Sequence, residues 1–144
     1  MKNVLSIIVV LLFLDSTPFG CTCLPSENAR EELGRVAAVW SGKVIEVKRH
    51  EQERNVFMSV EAVIEVDRVW KGVEKRTVSV FTSSESSACG YGFQKGEAYL
   101  VYASKNTEGR LITSICSRTR ILKAAQDDLK ELGEGKAVAK GKEN

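Results

Sequence analysis

The sequence has few of the residues with which most enzymes build a catalytic site. Its 144 residues include one histidine and two prolines, and the formal net charge is only +2. The histidine, His50, lies in a run of charged residues, where a histidine is usually solvated. No HExxH, GxSxG or P-loop pattern occurs. Such a small charge gives no argument for binding nucleic acid or a membrane surface. We therefore expect a protein that is not an enzyme and binds no nucleic acid.

Long apolar runs are absent except at the start of the chain. Val4 to Leu14 form a run of mostly aliphatic residues, which is too short to cross a hydrocarbon layer about 30 Å thick. Lys2 precedes the run, and Asp15 to Gly20 end it with polar and small residues. This layout is typical of a secretory signal peptide. We therefore predict that residues 1–20 are removed before Cys21 and that the protein is secreted.

A lipoprotein signal is the alternative interpretation of the same segment. In that case Cys21 would be acylated, and it could neither join a disulfide bond nor keep a free amine. The four residues before Cys21 (Thr-Pro-Phe-Gly) lack the leucine expected three positions upstream. We expect no membrane contact unless Cys21 is lipidated, and we expect a monomer.

All four cysteines follow the predicted signal peptide, at positions 21, 23, 89 and 116. An even number in an exported protein predicts two disulfide bonds. A bond between Cys21 and Cys23 would be strained, because the loop is too short. The other two pairings both attach the chain start to two distant segments, and the residues alone leave both open. A four-cysteine zinc site is less well supported, since such sites usually use two close CxxC pairs.

Alternation of apolar and polar residues predicts β-strands over much of the remaining sequence. A closed five-stranded barrel of the OB type would remove the sheet edges in a chain of this size, and an open sandwich is the alternative. We predict an all-β, OB-like domain over residues 21–133, with a disordered tail at 134–144. The predicted elements are a short helix Ser26–Gly34 capped by Ser26, strands Arg35–Val47, Phe57–Trp70, Thr77–Phe81, Glu97–Ala103 and Leu111–Cys116, and a helix Leu122–Leu132 ended by Gly133.

Four aromatic residues could in principle stack nucleic-acid bases on the surface of such a barrel. Each of them lies in an apolar run without clustered Lys or Arg, so we predict that they pack in the core. They are Trp40, Trp70, Tyr99 and Tyr102.

The predicted mature N-terminus, Cys21-Thr22-Cys23-Leu24-Pro25, is the one segment that suggests a specific chemistry. Cleavage before Cys21 would leave a free α-amine beside the carbonyl oxygen of the same residue. These two atoms can close a five-membered chelate ring on a metal ion. The amine has a reference pKa near 8, so it can lose its proton to a metal at neutral pH. Two disulfide bonds would fix the segment, and Pro25 would stiffen its exit.

A zinc enzyme would be the natural target of such a chelate. Catalytic zinc keeps one coordination position for water, and the chelate would displace that nucleophile. Thr22 would then enter the pocket for the substrate side chain beyond the scissile bond. The plainer alternative, which the residues alone favour, is that the segment is only a disulfide anchor.

The opening Cys21–Pro25 resembles the start of the tissue inhibitors of metalloproteinases, whose inhibitory domain is a netrin-like OB barrel. The resemblance covers most of residues 21–133, and the CxCxP start with its matching downstream cysteines is a fairly specific signal. The further similar stretches are Val39–Val47 with Gly42, Ser87-Ala88-Cys89-Gly90 followed by Phe93, Gly96 and Tyr99–Tyr102, and Thr113 with Cys116.

The resemblance implies a role for each residue at the N-terminus. It implies that Cys21 pairs with Cys89 and Cys23 with Cys116. Cys21 would chelate the zinc of the target protease, and Thr22 would occupy the primed pocket. No cofactor of the protein's own is implied, and the partner is a zinc metalloproteinase. The other residues implied to contact the protease are Cys23, Leu24 and Pro25, together with Ser84, Glu85, Ser86, Ser87 and Ala88 of a loop beside the N-terminus.

The sequence departs from the animal inhibitors in two respects. It has no cysteines for their third disulfide bond in this domain, and it has no cysteine-rich C-terminal domain. It therefore resembles a short, single-domain member. We predict a secreted metalloproteinase inhibitor. The alternative is an extracytoplasmic netrin-like binding module, with or without a lipid anchor at Cys21, that inhibits no protease.

Overall fold

The computed structural model describes residues 20–24, 26–50, 59–84 and 89–138. Residues 1–19 of the predicted signal peptide, and 139–144 of the predicted tail, lie outside the described residues. In chain order the elements are helix α1 (Ala29–Arg35), strands β1 (Ala38–Arg49), β2 (Val60–Lys71), β3 (Thr77–Thr82), β4 (Ala98–Lys105), β5 (Leu111–Ile112) and β6 (Arg120–Ile121), a 3₁₀ turn (Leu122–Ala124), helix α2 (Gln126–Leu132) and strand β7 (Lys136–Ala137).

Five of the strands close into a barrel. They pair in the order β1-β2-β3-β5-β4, and β4 pairs again with β1. The β3–β5 pairing is parallel and the other pairings of the barrel are antiparallel. β6 extends the sheet beside β4, and β7 pairs with β2. The prediction of an all-β, OB-like barrel with two short helices is confirmed, and the strands do not form an open sandwich.

Strand β1 closes the barrel because it has a partner on each edge. From Val39 to Arg49 it pairs with β2, and its first half also pairs with β4. Gly42 lies at a bulge in this strand, where the β2 backbone comes very close. A Cβ atom at Gly42 would overlap the carbonyl oxygen of Glu65 and lie 2.7 Å from Cγ2 of Ile64. Only a residue without a side chain allows the two strands to approach in this way.

Apolar side chains form two clusters, one inside the barrel and one between the barrel and the helices. Because successive residues of a strand point to opposite faces, Trp40 and Val101 fill the interior while their neighbours Val39 and Leu100 face the helices. Tyr99 is buried in the inner cluster. The aromatic residues predicted to pack in the core do so, and Trp70 contributes as a half-buried residue.

Helix α1 begins later than predicted, and a different residue caps it. The Oδ1 atom of Asn28 accepts a hydrogen bond of 2.9 Å from the backbone N–H of Glu31. Asn28 lies directly before the first helical residue, so its short side chain reaches the N–H three positions on. Ser26, the predicted cap, is two residues too early. It is buried, and its hydroxyl has no hydrogen-bond partner within the described part of the chain.

The segment after helix α2 is more ordered than predicted. Lys136 and Ala137 form β7 and pair with Val69 and Arg68 of β2. The Trp70 side chain explains why this segment is held, because its Nε1–H donates to the carbonyl oxygen of Gly133 at 2.9 Å. This part of the expected disordered tail therefore belongs to the fold.

Replacing Gly42 with alanine should destabilise the barrel by about 2–3 kcal/mol, since the new methyl group has no space beside Glu65. Urea unfolding of the disulfide-intact protein measures the effect as a lower midpoint with an unchanged slope. Gly92→Ala is the matched control, because a Cβ at Gly92 would meet nothing within 4 Å. Equal midpoints for the two variants would show that β1 and β2 are not this close.

Candidate functional site

Two disulfide bonds attach the N-terminal segment to two different loops of the barrel. Cys21 is bonded to Cys89, between β3 and β4, with the Cα atoms 5.7 Å apart. Cys23 is bonded to Cys116, between β5 and β6, with a Cα separation of 5.0 Å. The structure thus contains the pairing that the resemblance implies. The bonds span 68 and 93 residues, and loops of this length restrict the unfolded chain by about 4–5 kcal/mol each in the chain-entropy model.

Side chains alternate in direction along this attached segment. The two cysteines are half-buried with their sulfur atoms bonded to the barrel loops, whereas Thr22 is exposed. Leu24 is 85% exposed, and Ile115, next to the second bridge, is 49% exposed. Both apolar side chains are therefore open to solvent and accessible to a partner.

The two loops that receive the disulfide bonds are also joined to each other. The backbone N–H of Ile115 donates to the carbonyl oxygen of Cys89 at 3.0 Å. Cys89 has a left-handed φ of 59°, a conformation that costs a non-glycine residue on the order of 1 kcal/mol. The N–H of Tyr91 donates to the Thr82 hydroxyl at 2.8 Å, which fixes the chain just after this turn.

A network of buried hydroxyl groups holds the loop that carries Cys116. Thr113 Oγ1 donates to the carbonyl oxygen of Tyr102 in β4 at 2.9 Å. Thr119 Oγ1 accepts from the N–H of Tyr102 at 2.9 Å. The Ser117 hydroxyl lies 2.9 Å from Thr113 Oγ1. The predicted strand Leu111–Cys116 therefore stops at Ile112, because the residues that follow turn back toward β4 and bond through their side chains.

A buried ion pair connects this loop with helix α2. Arg118 donates from Nη2 to Asp128 Oδ1 at 2.6 Å and from Nε to Asp128 Oδ2 at 3.1 Å. The Asp128 side chain is 1% exposed, and it also accepts a hydrogen bond from the Tyr102 hydroxyl at 3.0 Å. Burial alone would raise the pKa of Asp128, but the hydrogen bonds from Arg118 and Tyr102 outweigh it and hold the pKa below its ordinary value.

The same arginine reaches the N-terminal segment. Its Nη1 donates to the carbonyl oxygen of Ser26 at 3.2 Å. Sequence reasoning missed Arg118, Asp128 and Ile115. The first two belong to no local motif, since Arg118 and Ser26 are 92 residues apart in the chain. The exposure of Ile115 depends on how its loop folds, and this could not be read from an apolar residue in a predicted strand.

Of the loop predicted to contact a protease, only the first residue is described. Ser84 is exposed, and its N–H donates to the hydroxyl of Ser59 at 3.0 Å. Pro25 and the loop residues Glu85, Ser86, Ser87 and Ala88 lie outside the described residues. The far end of this loop is fixed beside the N-terminus by the bond between Cys89 and Cys21.

His50 is half-buried rather than freely solvated as expected. Its Nε2 lies 3.0 Å from Glu61 Oε2, and the Ser79 hydroxyl donates to the other oxygen of Glu61. Burial would raise the pKa of Glu61, but the hydrogen bonds from Ser79 and His50 lower it overall. In this arrangement the carboxylate lies between serine and histidine. A catalytic triad needs the histidine in the middle position, so these residues cannot activate the serine.

The described residues hold neither a membrane-spanning helix nor a cluster of metal ligands. Within residues 20–24, 26–50, 59–84 and 89–138, no helix is long and apolar enough to cross a membrane. The same residues contain no group of three or more His, Cys, Asp or Glu side chains that could hold a metal ion.

The protein is an OB-like barrel whose N-terminal segment is bonded to two loops and exposes Thr22 between the two bridges. The family described as tissue inhibitor of metalloproteinase matches residues 20–126, which is well over half of the chain, so the chain belongs to this family. Its members inhibit metalloproteinases, are not enzymes and are generally extracellular. No individually curated protein matches the chain significantly.

The buried Asp128 carboxylate should make the folded protein sensitive to acid. Because its pKa is lowered by folding, its contribution to stability is present above about pH 4 and is lost as the pH falls through the lowered value. Asp128→Asn should cost about 3 kcal/mol at pH 7, since Arg118 loses its partner. The same variant should lose less additional stability than the wild type between pH 4 and pH 2.

Thermal unfolding followed across this pH range measures both effects. Glu65→Gln is the control, because Glu65 forms an exposed surface pair with Arg76. The fall in Tm of this variant between pH 4 and pH 2 should match that of the wild type. Parallel curves of Tm against pH for the wild type and Asp128→Asn would contradict the lowered pKa of Asp128.

Proposed function

We propose that the mature protein begins at Cys21, is secreted, and inhibits a zinc metalloproteinase by placing the Cys21 α-amine and carbonyl oxygen on the catalytic zinc. The observation that carries the proposal is the disulfide attachment of residues 21 and 23, which leaves Thr22 and Leu24 exposed between and beside the bridges. The family match adds support, because it begins at residue 20, next to the proposed start.

The chemistry of Cys21 limits how it could bind zinc. Its sulfur is bonded to Cys89 and so cannot act as a thiolate ligand. The donors of a mature Cys21 would be the amine nitrogen and the carbonyl oxygen, which close a five-membered ring. A catalytic zinc held by three protein ligands has a position for them, and the water that attacks the substrate would be displaced.

The attached segment would bind tightly because it is ordered before it meets the protease. Ordering a flexible terminus on binding costs free energy for each immobilised residue, and the two disulfide bonds impose that order in advance. Thr22 would enter the primed pocket beside the zinc, with Cys23, Leu24 and Pro25 flanking it. Ser84–Ala88 would form a second part of the contact surface, because Cys89 brings the end of this loop to Cys21.

The lipid-anchored binding module is less well supported. Acylation of Cys21 requires its thiol, and that thiol is used in the bond to Cys89. The absence of a cofactor of the protein's own and the monomeric state remain predictions.

Adding one alanine before Cys21 should abolish inhibition. The extension converts the amine into a peptide nitrogen and adds bulk at the metal, so the inhibition constant should rise by at least about a thousandfold, or about 4 kcal/mol. The measurement is a titration of an active zinc metalloproteinase with the two proteins, both carrying their disulfide bonds.

The control for this comparison is the Tm of each protein, which should be equal because the barrel is unchanged. An extended protein that inhibits as well as the wild type would exclude the chelation mechanism, whatever the fold of the chain.

Thr22→Gly should weaken inhibition about tenfold and change which proteases are inhibited, because the variant leaves the primed pocket empty. Thr107→Gly makes the same chemical change at an exposed turn between β4 and β5, and it should leave the inhibition constants unchanged. Inhibition profiles against a panel of zinc proteases provide the measurement. If Thr22→Gly and the wild type give the same profile, Thr22 does not occupy the pocket.

A further inference from the structure

The N-terminal segment is held at a third point that involves no cysteine. Cys23 and Ser26 are separated by only two residues in sequence, and both are attached to the loop between β5 and β6. Cys23 is bonded to Cys116, and the Ser26 carbonyl oxygen accepts a hydrogen bond from Arg118 Nη1 at 3.2 Å. Two positions of one loop, Cys116 and Arg118, therefore hold Cys23 and Ser26.

The guanidinium group of Arg118 is itself fixed in orientation. Nε and Nη2 face the two oxygens of Asp128 at 3.1 and 2.6 Å, which is the fork geometry of a bidentate pair. The carboxylate is fixed in turn by the Tyr102 hydroxyl. With two of its nitrogens held in this plane, the guanidinium directs the third, Nη1, at Ser26. The Arg118 side chain is only 17% exposed, so water competes weakly for these contacts.

The backbone that carries Arg118 is fixed on both sides. On one side Cys116 is bonded to Cys23. On the other, Thr119 is hydrogen-bonded through its hydroxyl to the backbone of Tyr102. The Arg118 side chain and the backbone that carries it are both held in place. Together they define the position of the Ser26 carbonyl, and hence the direction of the chain after Cys23.

We propose that Arg118 is a positioning residue for the inhibitory N-terminus: held by Asp128, it fixes the Ser26 end of the segment so that Cys21 and Thr22 are presented in one orientation. This inference rests on the proposed function. The role depends on the planar fork and not on charge alone, because the ammonium group of a lysine cannot bond both carboxylate oxygens and the Ser26 carbonyl in this geometry.

Arg118→Lys tests the role while keeping the charge. We expect an inhibition constant about tenfold higher than that of the wild type, and about tenfold faster hydrogen exchange at the amides of residues 22–24, 26 and 27 than in the wild type. The amides of β2 should keep their protection. Arg76→Lys is the matched control. Arg76 forms an exposed surface pair with Glu65 and lies just before the start of β3, whereas the loop that carries Cys89 follows the end of β3. This variant should change neither the inhibition constant nor the hydrogen exchange.

A second comparison separates positioning from general destabilisation. In the protein extended by one alanine before Cys21, where the inhibition constant is already at least about a thousandfold higher, Arg118→Lys should raise that constant little further. A merely destabilising substitution would weaken both proteins by the same factor, and that result would overturn the positioning role.

The outcomes distinguish this inference from the proposed function. If the wild type inhibits and Arg118→Lys is equally potent, the positioning role is wrong and the chelation mechanism stands. If the wild type inhibits no zinc metalloproteinase, the proposed function fails and this inference fails with it.

A measurement on the wild type alone covers the case in which Arg118→Lys does not fold. Nuclear magnetic resonance order parameters near 0.85 at the Leu24 N–H and the Arg118 Nε–H would match rigid backbone and support the role. A value below about 0.6 at either position would contradict it.

Discussion

Two disulfide bonds begin within three residues of each other, at Cys21 and Cys23, and end on two different loops of the barrel. A single bond would leave the segment free to rotate about its attachment. Two bonds to separate loops define both its position and its direction, and the residue between them must point away from the barrel. The exposed Thr22 follows directly from this constraint. A terminus that is already ordered loses little entropy on binding, which is the property that an inhibitor acting through its chain end requires.

The barrel contributes the rigid support for these loops, and Tyr102 is central to it. Its backbone bonds Thr113 and Thr119 on the loop that carries Cys116, and its hydroxyl donates to Asp128 of helix α2. Burial and the nearby Asp128 charge raise the pKa of Tyr102 above its ordinary value, so the phenol keeps the proton that it donates. One strand residue therefore links the barrel, the loop that carries Cys116 and helix α2. The N-terminal segment is attached to this network by the bond between Cys23 and Cys116 and by the hydrogen bond from Arg118 to Ser26.

The sequence predicted the architecture well because strand alternation is a local signal. The alternation of apolar and polar residues along each strand depends on residues close together in the chain. Those local patterns indicated the five strands, and the CxCxP start indicated the family. The helix cap was misplaced by two residues, since Ser26 and Asn28 are equally good caps in sequence and only packing separates them. Strand β5 was predicted too long, because the hydroxyl groups of Thr113 and Ser117 find partners on a distant strand.

A local motif suggested part of the candidate site, and the part that tertiary contacts build had no signal in the sequence. Cys21 and Thr22 were proposed as site residues from five consecutive residues, and their roles stay predictions. Arg118 could not be proposed in this way, because its partners Asp128 and Ser26 lie 10 and 92 residues away in the chain and none of the three belongs to a recognisable motif. Ion pairs between remote elements are visible only once the fold brings them together.

Zinc chelation by the N-terminus requires an unmodified α-amine at Cys21. Intact mass measurement combined with N-terminal sequencing of the protein exported by its own host tests this. The chelation mechanism predicts a chain that starts at Cys21 with an unmodified amine, lighter than its reduced form by the four hydrogens of two disulfide bonds. A diacylglycerol adduct on Cys21, or a chain that starts at another residue, would contradict it.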